Sequence, residues 1–144
     1  KFGFKGASIS GGEPLLTPKL TLSYIRTIRK SLKDNIYIWM YTNGTLLTEE
    51  LTESLKEAGL DEIRFDIGAT RYSLEHLKKA CGIIPVVTVE IPAVPERMER
   101  MKTLIPVLKI LGVNHLNLHQ LRLTPHNAER VLKRGYKDNA TIFL

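Results

Sequence analysis

An α/β fold is what this 144-residue sequence predicts, as a partial (βα) barrel, TIM-like, with five parallel strands alternating with helices. Three observations predict it. Apolar, β-branched runs recur at 5–11, 36–42, 62–67, 86–91 and 115–121, and each after the first follows a helical segment with its own stop signal. Strands alternating with helices through short links give a parallel sheet, because each crossover returns the chain to the same end of the sheet. Several strands also carry one polar face: Arg64 and Asp66, Thr88 and Glu90, Asn117 and His119, opposite Ile63, Phe65, Val87, Val89, Leu116 and Leu118. Strands covered by helices on both faces read as continuous apolar runs instead. The polar side therefore faces water or a ligand, as in the lumen of a curved or incomplete barrel.

The elements follow in order. The first strand ends in Gly11-Gly12-Glu13-Pro14, where two residues without a Cβ let a ligand approach the backbone. Pro14 has no N–H and stops strand pairing. Thr17-Pro18 caps a helix over 18–33 that stops before Asp34-Asn35. After the second strand and its turn, Thr42-Asn43-Gly44, a helix over 48–58 begins at Thr48, carries Glu49 and Glu50 in its first turn and ends at Gly59. A shorter helix covers 73–81 and ends at Gly82; the next, 96–111, contains Pro106, which should kink it, and Gly112 follows. Met98 and Met101, three apart, are read as core residues of that helix. The last helix, 125–134, has Thr124 as cap, Pro125 at its first position and Gly135 beyond. Gly59-Leu60-Asp61-Glu62-Ile63-Arg64-Phe65-Asp66 and Gly112-Val113-Asn114-His115-Leu116-Asn117-Leu118-His119 share one pattern, which points to a repeated unit.

Composition bounds the function. An apolar share of 43% fits a globular core and excludes disorder as the main state. No run approaches the ~18 apolar residues of a membrane span, and Lys1 to Lys5 contain no signal-peptide core. Cys81 is the only cysteine, so no internal disulfide forms and a reducing, cytoplasmic setting is expected. The net charge of +6 is compatible with an acidic partner such as nucleic acid. Arg26, Arg29, Lys30, Lys33, Lys56, Lys78 and Lys79 fall on outer helix faces, however, and nothing further indicates nucleic acid.

Gly11-Gly12-Glu13-Pro14 after one strand and Thr42-Asn43-Gly44 after the next, with a helix between, resemble the radical S-adenosylmethionine (radical SAM) enzymes. Gly59-Leu60-Asp61 leading into Ile63-Arg64-Phe65-Asp66 resembles that family's fourth strand. The likeness covers roughly residues 5–135, as strands two to six of a (βα)6 barrel, and makes 1–144 a single incomplete barrel domain. The resemblance implies that Gly11, Gly12, Glu13 and Pro14 receive the amino group of the methionyl moiety, largely through backbone oxygens. It places Thr42, Asn43 and Gly44 in the same pocket and gives Asp66 a polar contact to ribose or carboxylate. It sets Ile91, next to Glu90, against adenine, with Leu118 to Gln120, and hence His119, beside it.

The family's signature, a Cys-x3-Cys-x2-Cys loop holding a [4Fe-4S] cluster with one open iron, has no counterpart here. Cys81 alone holds no cluster and is read as a structural thiol, buried or half-buried. The expectation is a C-terminal portion of a longer enzyme, with the cluster loop ahead of Lys1 and further chain after the tail Tyr136–Leu144. The intact enzyme would cleave S-adenosylmethionine to methionine and a 5′-deoxyadenosyl radical that abstracts hydrogen. This chain would bind the cofactor and be inactive alone, with no metal of its own. The alternative is a non-catalytic barrel module for binding or scaffolding. Glu13 and Glu90 are also weighed as a carboxylate pair for acid–base work, and His119 as an acid–base group or ligand. His115 and His126 fall at element starts and are expected to be exposed. The substrate is not legible, since fold does not carry it.

Overall fold

The computed structural model describes residues 3–121 and 124–135. The tail 136–144 lies outside the described residues. Five strands, β1 (Gly6–Ile9), β2 (Tyr37–Thr42), β3 (Glu62–Phe65), β4 (Val86–Ala93) and β5 (His115–Gln120), form one sheet in chain order. Every neighbouring pair is parallel, with Gly6 opposite Tyr37, Tyr41 opposite Arg64, Arg64 opposite Thr88 and Glu90 opposite Asn117. A doubly wound sheet reverses its strand order partway. This one does not, so every crossover winds the same way, as in a barrel wall.

The helices cover one face. Ile38, Met40, Ile63, Phe65, Val87, Val89 and Ile91 from the strands share one buried cluster with Ile25, Leu55, Leu77, Met101 and Leu108 from the helices. The other face carries Trp39, Tyr41, Glu62, Arg64, Thr88 and Glu90, the polar wall that the period of two requires. Among the described residues, no helix is long and apolar enough to cross a membrane.

Local chemistry sets the helix bounds. α1 (Pro18–Leu32) opens with Pro18 at its first position, and α2 (Glu49–Ala58) is capped by Thr48, whose Oγ1 accepts from Leu51 N at 3.1 Å. The two look-alike segments do the same job. Gly59 and Gly112 take φ of 98° and 83°, which turns each chain out of its helix. Leu60 N then donates to Leu55 O at 3.1 Å and Val113 N to Leu108 O at 3.0 Å. The next side chain reaches the preceding strand: Asp61 Oδ2 accepts from Ile38 N at 2.7 Å, and Asn114 Oδ1 from Val87 N at 2.8 Å. Their own N–H groups return to Ile38 O and Val87 O. The repeat is thus a device that fastens each helix end to the strand before it.

Several expectations are corrected. The helix expected over 73–81 is a single α-turn, α3 (Glu75–Lys78), continued by hydrogen-bonded turns to Ile84. The segment 96–111 begins as a 3-10 turn, Pro95–Arg97, and becomes α4 (Met98–Ile110) with Pro106 inside it. Met101 is core, but Met98 is half exposed. The expected 125–134 helix is only α5 (Ala128–Leu132). Thr124 does not cap it, because Asn127 Oδ1 accepts from Thr124 N at 2.7 Å and holds the first residues in a turn. Two of the basic residues expected on solvated faces are fastened to the backbone. Arg29 donates to the carbonyls of Lys33, Ile36 and Gly59 and pairs with Asp61 at 2.6 Å, and Lys79 Nζ reaches Leu47 O at 2.9 Å. His115 and His126 are exposed, and Cys81 is half-buried, with burial pushing its thiol pKa up.

Candidate functional site

The turns after β1, β2 and β3 meet at the C-terminal end of the sheet, where functional groups of such folds gather. Gly11 and Gly12 have φ of 99° and 56°, two successive left-handed residues that glycine adopts without strain. A Cβ on either would meet nothing within 4 Å, so the space above them is open to a ligand. Pro14, buried, starts a 3-10 turn, Pro14–Leu16, and its carbonyl accepts from Thr21 Oγ1 at 2.8 Å.

Glu13 joins two of these turns. Its Oε1 accepts from Leu15 N at 3.0 Å and Thr42 Oγ1 at 2.7 Å, and its Oε2 accepts from Asn43 N at 2.8 Å. Thr42 in turn accepts from Gly44 N at 2.9 Å, and Asn43 Oδ1 holds Thr45 through its N–H and hydroxyl. The carboxylate therefore works as a clamp between the β1 and β2 ends, with three partners already in place. We expect Glu13→Gln, whose amide can accept at only one atom, to lower stability by about 2 kcal/mol. Urea unfolding reads this, and a change below a few tenths of a kcal/mol would show that the clamp carries nothing.

A groove of about 410 Å³ lies at this end, lined by Gly12, Glu13, Tyr41, Thr42, Asn43, Asp66, Ala69, Glu90 and His119. Seven residues singled out in the sequence thus come together. Gly11, Pro14 and Gly44 shape the turns without lining the groove. Ile91 is fully buried on the helix-facing side of β4, among Val87 and Val89, so the groove receives Glu90 instead. Asp66 Oδ1 is engaged by Gly68 N at 3.0 Å and Ala69 N at 3.3 Å. His119 is exposed, with Nδ1 3.1 Å from Gln120 O. Glu13 and Glu90 share the groove but bond elsewhere, so they are not a hydrogen-bonded acid–base dyad. Tyr41 and Ala69 were not singled out; the alternation of β2 already put Tyr41 on the polar face.

Beneath the groove, Arg64 organises the inner wall. Its Nε and Nη2 meet both oxygens of buried Glu62 at 2.8 and 3.2 Å, and its Nη1 donates to Tyr41 Oη at 3.0 Å and Glu90 Oε2 at 3.1 Å. The guanidinium lies 5.3 and 5.4 Å from the ring centres of Trp39 and Tyr41. Burial pushes the Glu62 carboxyl up, but the Arg64 and Thr88 hydrogen bonds more than offset it and hold the pKa below the usual carboxylate range. Burial and the Glu62 charge push the neighbouring Tyr37 hydroxyl up to about 12.

The groove lining holds three carboxylates and no Lys or Arg. Such a lining favours a cationic ligand, and S-adenosylmethionine, with its sulfonium and ammonium groups, fits that chemistry. An iron–sulfur cluster does not fit the residues present: among the described residues, no group of three His, Cys, Asp or Glu side chains is placed to hold a metal. A wider depression of about 590 Å³ at the other end of the sheet is lined by Arg29, Tyr37 and Asp61 among others. Its charged pair already fastens α1 to the Gly59 turn, so it is read as structural.

Comparison with known proteins adds the family. The profile described as "Radical SAM superfamily" matches residues 1–122. A "Putative glycyl-radical enzyme activating enzyme" of Methanocaldococcus jannaschii is 31% identical over 142 residues, covering 92% of this chain and 37% of that protein. A "Probable GTP 3',8-cyclase" of Methanococcus maripaludis is 27% identical over 173 residues, 96% of this chain and 56% of that protein. The namesake in Methanocaldococcus jannaschii is 46% identical over 68 residues, 46% of this chain and 21% of that protein. The chain thus spans between about a third and somewhat over half of the length of the first two relatives.

Proposed function

The chain belongs to the radical SAM superfamily, and on that premise we propose that it supplies the S-adenosylmethionine-binding half of a larger enzyme. In this reading the [4Fe-4S] cluster is bound by residues outside this chain, and the chain alone is inactive. A cytoplasmic setting goes with the proposal. One observation carries it: the two turns that resemble the family's cofactor segments are joined through Glu13 at the rim of a groove with an acidic lining.

Bound S-adenosylmethionine would supply a radical-forming carbon–sulfur bond when paired with a reduced cluster. The work of this chain's residues is binding. The open backbone at Gly11 and Gly12 gives the ligand room, and the carboxylates of Asp66 and Glu90 give the groove its negative charge, while the Glu13 clamp keeps the turns in register.

Two measurements test this. Anaerobic reconstitution with iron and sulfide should leave the desalted protein colourless, and a broad visible band retained by it would contradict the absence of a cluster site. Calorimetry should detect S-adenosylmethionine only at high concentration, since the cluster's two anchoring contacts are missing. Tight binding would overturn that division of labour. A parent gene without a three-cysteine loop would favour a non-catalytic barrel module instead.

A further inference from the structure

β1 is an edge of the sheet, and among the described residues no strand pairs with its outer side. Lys5 O accepts from Tyr37 N at 2.9 Å, so Lys5, Ala7 and Ile9 direct their backbone groups to β2. By the alternation of a strand, Gly6 and Ser8 turn their N–H and C=O groups outward. Edge strands are guarded by charges, prolines or bulges. Gly6-Ala7-Ser8-Ile9 has no charge and no proline, and its register with β2 is continuous.

The helix above this edge is equally unguarded. α1 packs on α2 along one flank, where Leu22 joins the core and Arg29 reaches Gly59 O at 2.6 Å. At 3.6 residues per turn, the opposite flank, over the free edge, carries Leu20, Tyr24, Thr27 and Ser31. Leu20 and Tyr24 are 52% and 56% exposed, and Leu16, one turn earlier, is 70% exposed. The charged residues of α1, Lys19, Arg26, Arg29 and Lys30, all lie elsewhere round the helix. An apolar, uncharged flank therefore adjoins an unpaired strand.

A second copy of the chain meets both surfaces at once. Antiparallel pairing of β1 with its copy, about a two-fold axis normal to the sheet, keeps both helix layers on one face. As the crossover between β1 and β2, α1 rides over both, so the two α1 axes stand two strand spacings apart, about 9.6 Å. Helices pack at about 8–10 Å. Tyr24, near the middle of α1, then falls close to the axis and meets its own copy. The flank carries no charge, so self-association brings no like charges together. An acidic partner would find its cations on the far side of the helix.

We propose that β1 and the outer flank of α1 form an isologous interface through which two copies of this chain pair. The likeness to strands two to six of a barrel sets a first strand at this edge, and the copy's β1 takes that place. The inference does not depend on the cofactor-binding reading. A 15-residue helix is about 22 Å long. One such flank and a four-residue edge fall short of the roughly 800 Å² per partner of a standard interface, so a dissociation constant of about 10–100 μM is expected.

Sedimentation equilibrium from micromolar to millimolar chain reads this directly, and the unaltered chain should follow a monomer–dimer equilibrium. Tyr24→Lys sets like charges together at the axis and should weaken pairing about tenfold or more. Tyr24 is exposed, so the circular dichroism spectrum and unfolding midpoint of that variant should stay unchanged. Ser8→Pro removes one outward N–H while leaving the pairing with β2, and should weaken the dimer as well. Lys19→Glu, outside the flank, should leave it as it is. Mixing Tyr24→Lys with Tyr24→Glu chains should restore dimers, which only an interface that meets itself at residue 24 does. Monomers over the whole range overturn the proposal and leave the face to a different polypeptide. Association that ignores Tyr24→Lys and Ser8→Pro, or that grows past the dimer, overturns it too. None of these outcomes depends on S-adenosylmethionine binding, so the two readings fail separately.

Discussion

Arg64→Met should destabilise the chain by about 3 kcal/mol at pH 7, the range for removing one partner of a buried ion pair. Methionine keeps much of the volume between Trp39 and Tyr41, so the loss is chiefly electrostatic. Glu62 is buried and would keep Thr88 but lose both guanidinium contacts. The pH dependence identifies the cause. In the native chain the Glu62 carboxyl lies below its usual range because the Arg64 and Thr88 bonds outweigh burial. A lowered folded-state value contributes stability above the unfolded pKa of about 4.3, and that stability is lost as pH falls through the folded value. In the variant burial is left to dominate, so the carboxyl rises above its unfolded value and the sign reverses. Falling pH then favours the folded variant, and the gap between the two proteins should narrow between pH 7 and pH 4.5. Adding Glu62→Gln to Arg64→Met should recover about 2 kcal/mol, since no buried charge is then stranded. Urea unfolding at both pH values measures all three proteins. A gap that is the same at both, or a double variant no better than the single, would show that Arg64 acts through packing.

The order of strands and helices was legible because each carries local signals: alternation, caps, and glycine after the helix. The two sides of the sheet were legible for the same reason, since the period of two separates Arg64 from Ile63 without knowledge of its neighbours. That arithmetic also places Ile91 on the helix side and Glu90 in the groove, for a slip of one residue along a strand exchanges the faces. The weak spots were short helices. Thr124-Pro125 reads as a helix start, yet a competing bond from Thr124 to Asn127 delays the helix to Ala128. What could not be read was register. Arg64 meets Tyr41 and Glu90, 23 and 26 positions away, only because β2, β3 and β4 align in parallel beside one another. Asp61 and Asn114 matched as a pattern, but their partners Ile38 and Val87 are likewise fixed only by pairing. The Glu13 clamp belongs to the same class, with the motif visible and the partner across the sheet hidden.

Two glycines in these motifs should respond to the same substitution very differently. Gly12 and Gly44 both have positive φ, 56° and 77°, so alanine at either meets a backbone cost of about 1–2 kcal/mol. At Gly12 that is the whole cost, because a Cβ there meets nothing within 4 Å. At Gly44 the Cβ would stand 2.6 Å from Phe65 Cε1 and 3.0 Å from His76 Cβ. Phe65 is buried in the core and has no room to retreat, so overpacking adds about 1–3 kcal/mol. We expect Gly44→Ala to cost about 4 kcal/mol in total against about 1 for Gly12→Ala, by urea or thermal unfolding. Asparagine separates the two contributions, since it tolerates the left-handed region: Gly12→Asn should be near neutral, whereas Gly44→Asn should remain severely destabilised. Equal losses at the two sites would mean that backbone conformation alone required both glycines. The effect at Gly44 also reaches the groove, because Gly44 N donates to Thr42 Oγ1, which donates to Glu13. Displacing that turn loosens the clamp, so Gly44→Ala should weaken ligand binding even where enough folded protein remains to measure it. Gly12→Ala, with its Cβ in the open space where a ligand approaches, should weaken binding while leaving the fold nearly intact.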